Sequence, residues 1–274
     1  MSDAGSTGTP TATTVGVVTP TLNAETYLEA TLESIWSQVG PGIAIDHVIV
    51  DGGSTDRTLE IARRYPSRIV ESHDDRGMYD AINKGMSLVE GDIVGYMNAD
   101  DEIAPGALNR VRRALGSPGD PGWLCGRVEY IDEHGGVLGA MTPVKMPLRA
   151  YLGLGWSCVP QQTVWARRAF FDAVGPFDIA YRNCGDYDWY ARAMQLSPPA
   201  ILPQTLGRFR LHPGQISLDP AKMERESRMV RERYDGAGRG AWFRGRLLSL
   251  RLNLRNPGWL IAKKRGRISF DAPD

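Results

Sequence analysis

Residues 91–101 read Gly-Asp-Ile-Val-Gly-Tyr-Met-Asn-Ala-Asp-Asp. A short apolar run, Ile93, Val94, Tyr96 and Met97, stops abruptly on Asn98, Asp100 and Asp101. An open α/β sheet presents catalytic or metal-binding groups in this way, on carboxylates delivered at the C-terminal end of a buried strand. Two adjacent acids repel each other unless a cation or solvent intervenes. Hard divalent cations such as Mg²⁺ take carboxylate oxygens together with substrate phosphates. The competing use is plain turn capping, since Asn and Asp dominate turns. The sequence on either side weighs between the two.

Upstream, strand-like and helix-like segments alternate. Val15–Val18 is a β-branched run ending on Thr19, Pro20, Thr21 and Asn23. Leu28, Leu32, Ile35, Trp36 and Val39 then recur at helical spacing, so Asn23 is the expected N-cap of a helix ending near Gln38. His47–Val50 predicts a second strand that runs into Asp51, Gly52, Gly53, Ser54, Thr55 and Asp56. Ser54 or Thr55 is expected to cap a helix with Leu59, Ala62 and Tyr65 inward. Arg68–Val70 predicts a third strand, and Tyr79, Ile82, Met86 and Val89 mark the inner stripe of a helix stopped by Gly91. This alternation predicts parallel βαβ units over residues 15–101.

Downstream the rhythm changes. Pro105 opens a helix with Leu108, Val111 and Leu115 inward. Trp123–Ile131 and Val137–Met141 predict an antiparallel hairpin. A strand near Thr163–Trp165, a helix over Arg167–Val174, a helix from about Asp186 to Leu196 and a strand over Leu206–Leu211 follow. From Ala221 the chain reads as helical and highly charged. Between Gly236 and Arg267 it holds nine Lys/Arg and no acid, interleaved with Trp242, Phe243, Leu247, Leu248, Leu250, Leu252, Leu254 and Trp259. Such a segment suits either anionic lipid headgroups or a solvated helix packing its leucines on the body.

The totals exclude several classes. With 42% hydrophobic residues in 274, a substantial core is available. A formal net charge of zero argues against a nucleic-acid binder. Three cysteines, Cys125, Cys158 and Cys184, without close spacing, fit reduced thiols in a cytoplasmic protein. The first residues are small and polar, which reads as a flexible tail rather than a signal peptide. No stretch approaches the roughly 20 apolar residues of a membrane span.

Three predicted strand ends, Thr19–Asn23, Asp51–Asp56 and Asn98–Asp101, share one edge of the inferred sheet, where such folds place a nucleotide. The first turn holds TPTLNAE, not the GxGxxG of dinucleotide folds, and there is no GxxxxGK[ST] phosphate loop. An acid after the second strand for a base or ribose, and an acid pair on the central strand for a metal, describe a site for one nucleoside diphosphate with its metal.

Four blocks in order then carry a resemblance: TVGVVTPTLNAETYLEATLESIWSQ, HVIVDGGSTDRTLEIARRY, DDRGMYDAINKGMSLVEGDIVGYMNADD and CGDYDWYARA. Together they resemble the inverting nucleotide-sugar glycosyltransferases of family 2, in particular bacterial enzymes of cell-surface polysaccharide synthesis, over roughly residues 15–215. The resemblance implies the GT-A (Rossmann-like) α/β fold: a mixed, mostly parallel sheet flanked by helices, with a small antiparallel element and a C-terminal helical tail. It implies a nucleotide-sugar half over 15–102 and an acceptor half over 103–215, to which composition adds a flexible tail over 1–14 and a basic helical extension over 216–274. It implies a nucleotide-sugar donor, UDP by default, a glycan or lipid-linked acceptor, and Mg²⁺ or Mn²⁺ on the diphosphate. The expected site is cytoplasmic, with the basic tail available for the inner face of the membrane.

By the same resemblance, Asp100 is the metal-binding acid, with Asn98 where many members have the first Asp of a DxD-type motif, Asp101 a second candidate and His212 a late metal ligand. Asp51 recognises the base, lined by Thr19, Pro20, Thr21 and Asn23, with Gly53 admitting backbone to the ligand. Asp80, Lys84, Asn98 and Ala99 join the donor contacts; the plainer role for Asp80 and Lys84, four residues apart on one helix face, is a surface ion pair. Asp186 is the general base, against the plainer reading of a helix N-cap whose dipole would depress its pKa. A neighbour such as Tyr187, Trp189 or Asp188 is then expected to offset the dipole. Gln161 and Gln162 occupy the place of a His-Gln pair in many members and, with Trp156 and Asp188, are the expected acceptor contacts. Two other classes remain: a nucleotidyltransferase making sugar nucleotides, which would carry a basic Gly-rich loop after the first strand, and a non-catalytic binding module, which would have lost Asp100 or Asp186.

Overall fold

A computed structural model describes residues 12–117, 119–155, 157–215, 220–234, 238–266 and 268. The expected flexible tail therefore falls outside the described residues as far as residue 11, and Thr13 already belongs to a strand. Strands β1 (Thr13–Thr21), β2 (Ile43–Asp51), β3 (Arg68–Glu71) and β4 (Ile93–Tyr96) lie side by side in the order β3-β2-β1-β4, all parallel. Helices α1 (Leu28–Trp36), α2 (Thr58–Ala62) and α3 (Met78–Leu88) connect them. Parallel strands must be covered on both faces, and Val15, Val17, Val18, Val48, Ile49, Val50, Ile93 and Val94 are all buried.

The strand registers decide where the site forms. Thr21 pairs with Asp51, Val18 pairs with Tyr96, and the Met97 amide donates to the Val18 carbonyl at 2.9 Å. Three chain segments thus leave the sheet along one edge.

The second half makes the sheet mixed. After β5 (Glu102–Ile103) and α4 (Ala107–Leu115) come β6 (Trp123–Ile131) and β7 (Val137–Met141), the expected antiparallel hairpin. Helix α5 (Leu148–Leu154), a 3-10 turn at Gln161–Thr163, β8 (Trp165–Arg167), α6 (Arg168–Val174), α7 (Gly185–Leu196) and β9 (Ala200–Arg210) follow. Strand β8 runs antiparallel to both β4 and β6, β9 runs parallel to β6, and β5 closes the edge antiparallel to β9. The last strand starts at Ala200 rather than Leu206, because half-buried Ala200, Ile201 and Leu202 pair with Leu124–Gly126 of β6 ahead of two register shifts. Seven-residue α5 and two-residue β5 are too short to establish a period. Three helices end the described chain: α8 (Pro220–Arg233), α9 (Arg239–Arg255) and α10 (Pro257–Lys264). No helix among the described residues is long and apolar enough to cross a membrane.

Two expected caps are displaced. Asn23 sits at φ 49°, left-handed, and α1 begins at Leu28. The Asn23 side chain accepts from the Thr55 amide at 2.9 Å while its own amide donates to Ser54 Oγ at 2.8 Å. It therefore ties the loop after β1 to the loop after β2. Helix α2 begins at Thr58, whose amide donates to Asp56 Oδ1 at 2.9 Å, so Asp56 replaces Ser54 or Thr55 at that end. All three cysteines are free and buried.

Candidate active site

The strand ends open into a cavity of about 830 Å³. Pro20, Thr21 and Asn23 line it from β1, Ala99 and Asp100 from β4, Asp186 from α7 and His212 from the turn after β9. Asn98, Gln161 and Gln162 also reach it. Asp100 and Asp186, the expected metal ligand and general base, thus face one space although 86 residues separate them in the chain.

At the sheet edge, Asp100 Oδ2 lies 3.0 Å from His212 Nε2. His212 rests 4.8 Å, centroid to centroid, from the Tyr27 ring, and the Arg210 guanidinium lies 5.0 Å over the same ring. Arg210 also donates through Nε to the Asp100 carbonyl at 3.0 Å and pairs through Nη2 with Glu102 at 2.5 Å. The cation thus fixes the backbone that carries Asp100. Asn98 Oδ1 is buried and has no hydrogen-bond partner. A carboxylate and an imidazole 3.0 Å apart on the cavity wall are donors that a divalent cation accepts while keeping positions for substrate oxygens. Among the described residues no group of three His, Cys, Asp or Glu side chains forms a closed metal cage. The pair fits an ion that shares its shell with a diphosphate.

Asp101 does not belong to this set, which corrects its reading as a metal candidate. It is fully buried and accepts from Gln162 Nε2 at 2.8 Å, the Arg210 amide at 3.0 Å and Asn98 Nδ2 at 3.5 Å. Burial, followed by the charge of Asp100, pushes its pKa well above the usual carboxylate range. Asn98–Asp101 form a turn closed by the Asp101 amide donating to the Asn98 carbonyl at 3.2 Å, and of the two acids this turn carries only Asp100 lines the cavity.

Asp186 occupies the first turn of α7, one residue inside Gly185, and is not the cap residue, which is Cys184. Its Oδ1 accepts from the Tyr187 amide at 2.7 Å and from the Tyr79 hydroxyl at 3.2 Å. Burial nevertheless wins over these bonds and raises its pKa to about 6. The offset to the helix dipole therefore comes from burial, not from Asp188. Asp188 is the second correction: it is fully buried, accepting from Arg192 Nε at 2.9 Å and the Tyr234 hydroxyl at 2.9 Å, with Arg233 at 3.3 Å. Residues two apart on a helix project about 200° apart, so Asp186 and Asp188 face opposite ways.

The remaining expected contacts divide. Thr19, Asp51, Gly53, Asp80 and Lys84 lie outside the cavity lining. Thr19 Oγ1 bonds His47 Nε2 at 3.0 Å inside the sheet, where burial lowers the imidazole pKa to about 3 and keeps it neutral. Asp51 is fully buried, accepting from Thr21 Oγ1 at 2.9 Å, Ser54 Oγ at 2.6 Å, the Ser54 amide at 2.8 Å and the Gly53 amide at 3.0 Å. Its carboxylate moulds the loop, and Gly53 at φ +93° supplies the left-handed turn the loop needs. Asp80 accepts from the Arg76 amide at 3.0 Å, which lowers its pKa, while Lys84 bonds Ser72 Oγ at 2.7 Å and Asp75. The two therefore serve different partners instead of each other. Gln161 Nε2 donates to the Tyr96 carbonyl at 2.8 Å, so both glutamines brace the end of β4 from within the cavity wall. Trp156 lies outside the described residues.

The model of the family described as glycosyl transferase family 2 matches residues 16–171. The chain belongs to glycosyl transferase family 2. It is a nucleotide-sugar-dependent glycosyltransferase of GT-A fold. It is 30% identical over 192 residues to the PGL/p-HBAD biosynthesis glycosyltransferase of Mycobacterium bovis, covering 68% of this chain and 71% of that one. The mannosyltransferase PcManGT from Pyrobaculum calidifontis, solved with GDP-Man and Mn²⁺, superposes with a TM-score of 0.60 at 20% identity, over 93% of this chain and 74% of that one. S. aureus TarS residues 1–349, solved with UDP-GlcNAc, gives 0.58 at 19% identity over 79% and 66%, and the match to the longer TarS chain spans 42% of it.

Two cavity-shaping residues of this glycosyltransferase escape a reading by motif. Asp75 lines the cavity with Oδ2 buried and unpartnered while Oδ1 takes Ser72 at 3.1 Å and Lys84. The signal was present, as two acids precede the glycine before α3. Glu226, in α8, accepts from the amides of Arg182, Asn183 and Cys184 at 3.1, 2.8 and 2.9 Å. It pins the turn that leads into Asp186. Nothing in its own helical stretch marks it.

Proposed function

We propose that this protein transfers a sugar, with inversion, from a nucleoside-diphosphate sugar, UDP first among candidates, to a hydroxyl of a glycan or lipid-linked acceptor. The observation that carries the reading is that Asp100, paired with His212, and Asp186 line a single cavity. In a single displacement the acceptor oxygen attacks the anomeric carbon from the face opposite the diphosphate. The bond from that carbon to the diphosphate oxygen breaks, its electron pair leaves with the nucleotide, and the acceptor proton passes to Asp186. A base with a pKa of about 6 is ionised at neutral pH yet strong enough to take that proton in the transition state. The Tyr79 hydroxyl holds its carboxylate in place.

Asp100 and His212, with Asn98 alongside, would hold Mg²⁺ or Mn²⁺, which supplies charge neutralisation to a departing diphosphate when bound. Pro20, Thr21, Asn23 and Gly52 form the wall offered to the nucleoside. This assigns residues 15–102 to the donor and 103–215 to the acceptor. Three buried, reduced thiols support a reducing compartment such as the cytoplasm. The test is a panel of sugar nucleotides with Mg²⁺ or Mn²⁺, scored by thermal shift and by release of nucleoside diphosphate. One donor stabilising the protein and being slowly hydrolysed is the expected result. No stabilisation by any of them overturns the proposal.

A further inference from the structure

Helix α9 has two apolar faces. Ala241, Gly245, Leu248 and Leu252 are buried. Against this seam α5 approaches so closely that a Cβ on Gly153 would lie 1.7 Å from the Ala241 carbonyl oxygen. On the other side Phe243, Leu247, Leu250 and Leu254 recur at i, i+4, i+7 and i+11, the spacing of a stripe meant for burial. All four are exposed, from 44% at Leu247 to 74% at Leu254. At about 100° per residue the two stripes fall on roughly opposite sides of the helix.

The exposed stripe has a charged border. Arg244, Arg251 and Arg255 fall on one flank and Arg239 and Arg246 on the other, beside Trp242, whose ring the Arg246 guanidinium approaches at 5.6 Å. Helix α10 adds exposed Ile261 with Lys263 and Lys264. From Arg239 to Gly266 the sequence has eight Lys/Arg and no acid. Contiguous exposed apolar surface marks an interaction site. A second copy of the same face would set arginine against arginine, whereas an anionic bilayer takes the apolar stripe between its headgroups and meets every flanking cation. The arginine stems can lie along the apolar surface with their heads at the phosphates.

We propose that the outer face of α9, extended by α10, docks this protein on an anionic phospholipid surface. The docking stands on this face alone and does not depend on which sugar or acceptor the cavity takes. It also reaches the site: α9 is seated on α5, and the Tyr151 ring of α5 lies 4.7 Å, tilted, from that of Tyr187, the neighbour of Asp186. The membrane would thus lie behind the acceptor side of the cavity.

Flotation of the full chain with vesicles tests it, using phosphatidylcholine and phosphatidylglycerol in equal parts against phosphatidylcholine alone. Binding is expected only to the anionic vesicles. It should weaken roughly fivefold for each of Arg244, Arg251 and Arg255 changed to Gln, and fall further as salt shortens the screening length. The variant F243S/L247S/L250S/L254S should lose binding while keeping the parental Tm, because the seam through Leu248 and Leu252 is untouched. If that variant unfolds, the arginine series decides alone. Equal binding to neutral vesicles, no binding at all, or arginine variants that bind like the parent would overturn the proposal. So would a dimer in sedimentation that the serine changes dissociate, which would identify a second copy as the occupant.

Discussion

Two regions of the cavity rim use paired acids and treat them alike. At the end of β4, Asp100 faces the cavity and Asp101 is buried beneath it. At the start of α7, Asp186 faces the cavity and Asp188 is buried behind it. The rules differ, since one pair splits in the turn that Asn98 and Asp101 close after β4 and the other by helical rotation. The buried partners also differ in what holds them. Asp101 is held by amide and side-chain donors from the opposite half of the sheet, and Asp188 by one cation each from α7 and α8 and by the Tyr234 phenol just past α8. In each region a carboxylate that lines the cavity stands near one that fixes the scaffold carrying it.

The sharpest way to break this comparison is Asp186→Asn. Loss of the base should lower kcat by about 10²–10⁴-fold, while thermal stabilisation by UDP with Mn²⁺ stays intact; normal turnover would remove Asp186 from the reaction. Next comes His212→Ala, expected to weaken apparent Mn²⁺ affinity roughly 10–100-fold by the usual cost of disturbing a metal shell, read as a shifted metal titration. Asp188→Asn should do the reverse. It leaves a buried site short of its charge partner, so stability should fall by about 1–3 kcal/mol in denaturant unfolding, with kcat and metal dependence preserved. If Asp188→Asn reduced kcat at unchanged stability, the division of labour between the two acids would be wrong.

The pH profile gives a smaller and more specific effect. The base must be ionised, so kcat/KM should rise with pH through an apparent pKa of about 6 and level off above it. The Tyr79 hydroxyl stabilises the charged carboxylate; Tyr79→Phe should therefore raise that pKa and move the acid limb to higher pH, by less than about one unit. A limb that stays put would detach Tyr79 from Asp186. The smallest effect belongs to Asp80→Asn. Its partner Arg76 is largely exposed, so the expected change in Tm is within measurement scatter.

Much of the fold was legible because burial imposes a period. The β-branched runs at Val15–Val18 and His47–Val50, and the stripe of Tyr79, Ile82 and Met86, lie in the elements they predicted, as both faces of a parallel sheet must be covered. Caps were less legible: Asn23 has the chemistry of a helix cap, yet the neighbouring loop claims its side chain. The same holds for Asp51, Asp80 and Lys84, whose residue types suit a ligand but whose atoms are taken up by Ser54, Arg76 and Asp75. Glu226 could not be found from its own segment, since its partners lie more than forty residues away.

The sequence by itself determined the alternating strands and helices, the carboxylates at the strand ends and the basic, leucine-bearing terminus, because hydrophobic period and turn chemistry are local properties. Only the tertiary structure decided which acid of each pair meets the cavity, that His212 lies beside Asp100, that burial outweighs the helix dipole at Asp186, and that one stripe of α9 is left uncovered. Those outcomes depend on distances between segments far apart in the chain, and on desolvation, which exists only once the segments have come together.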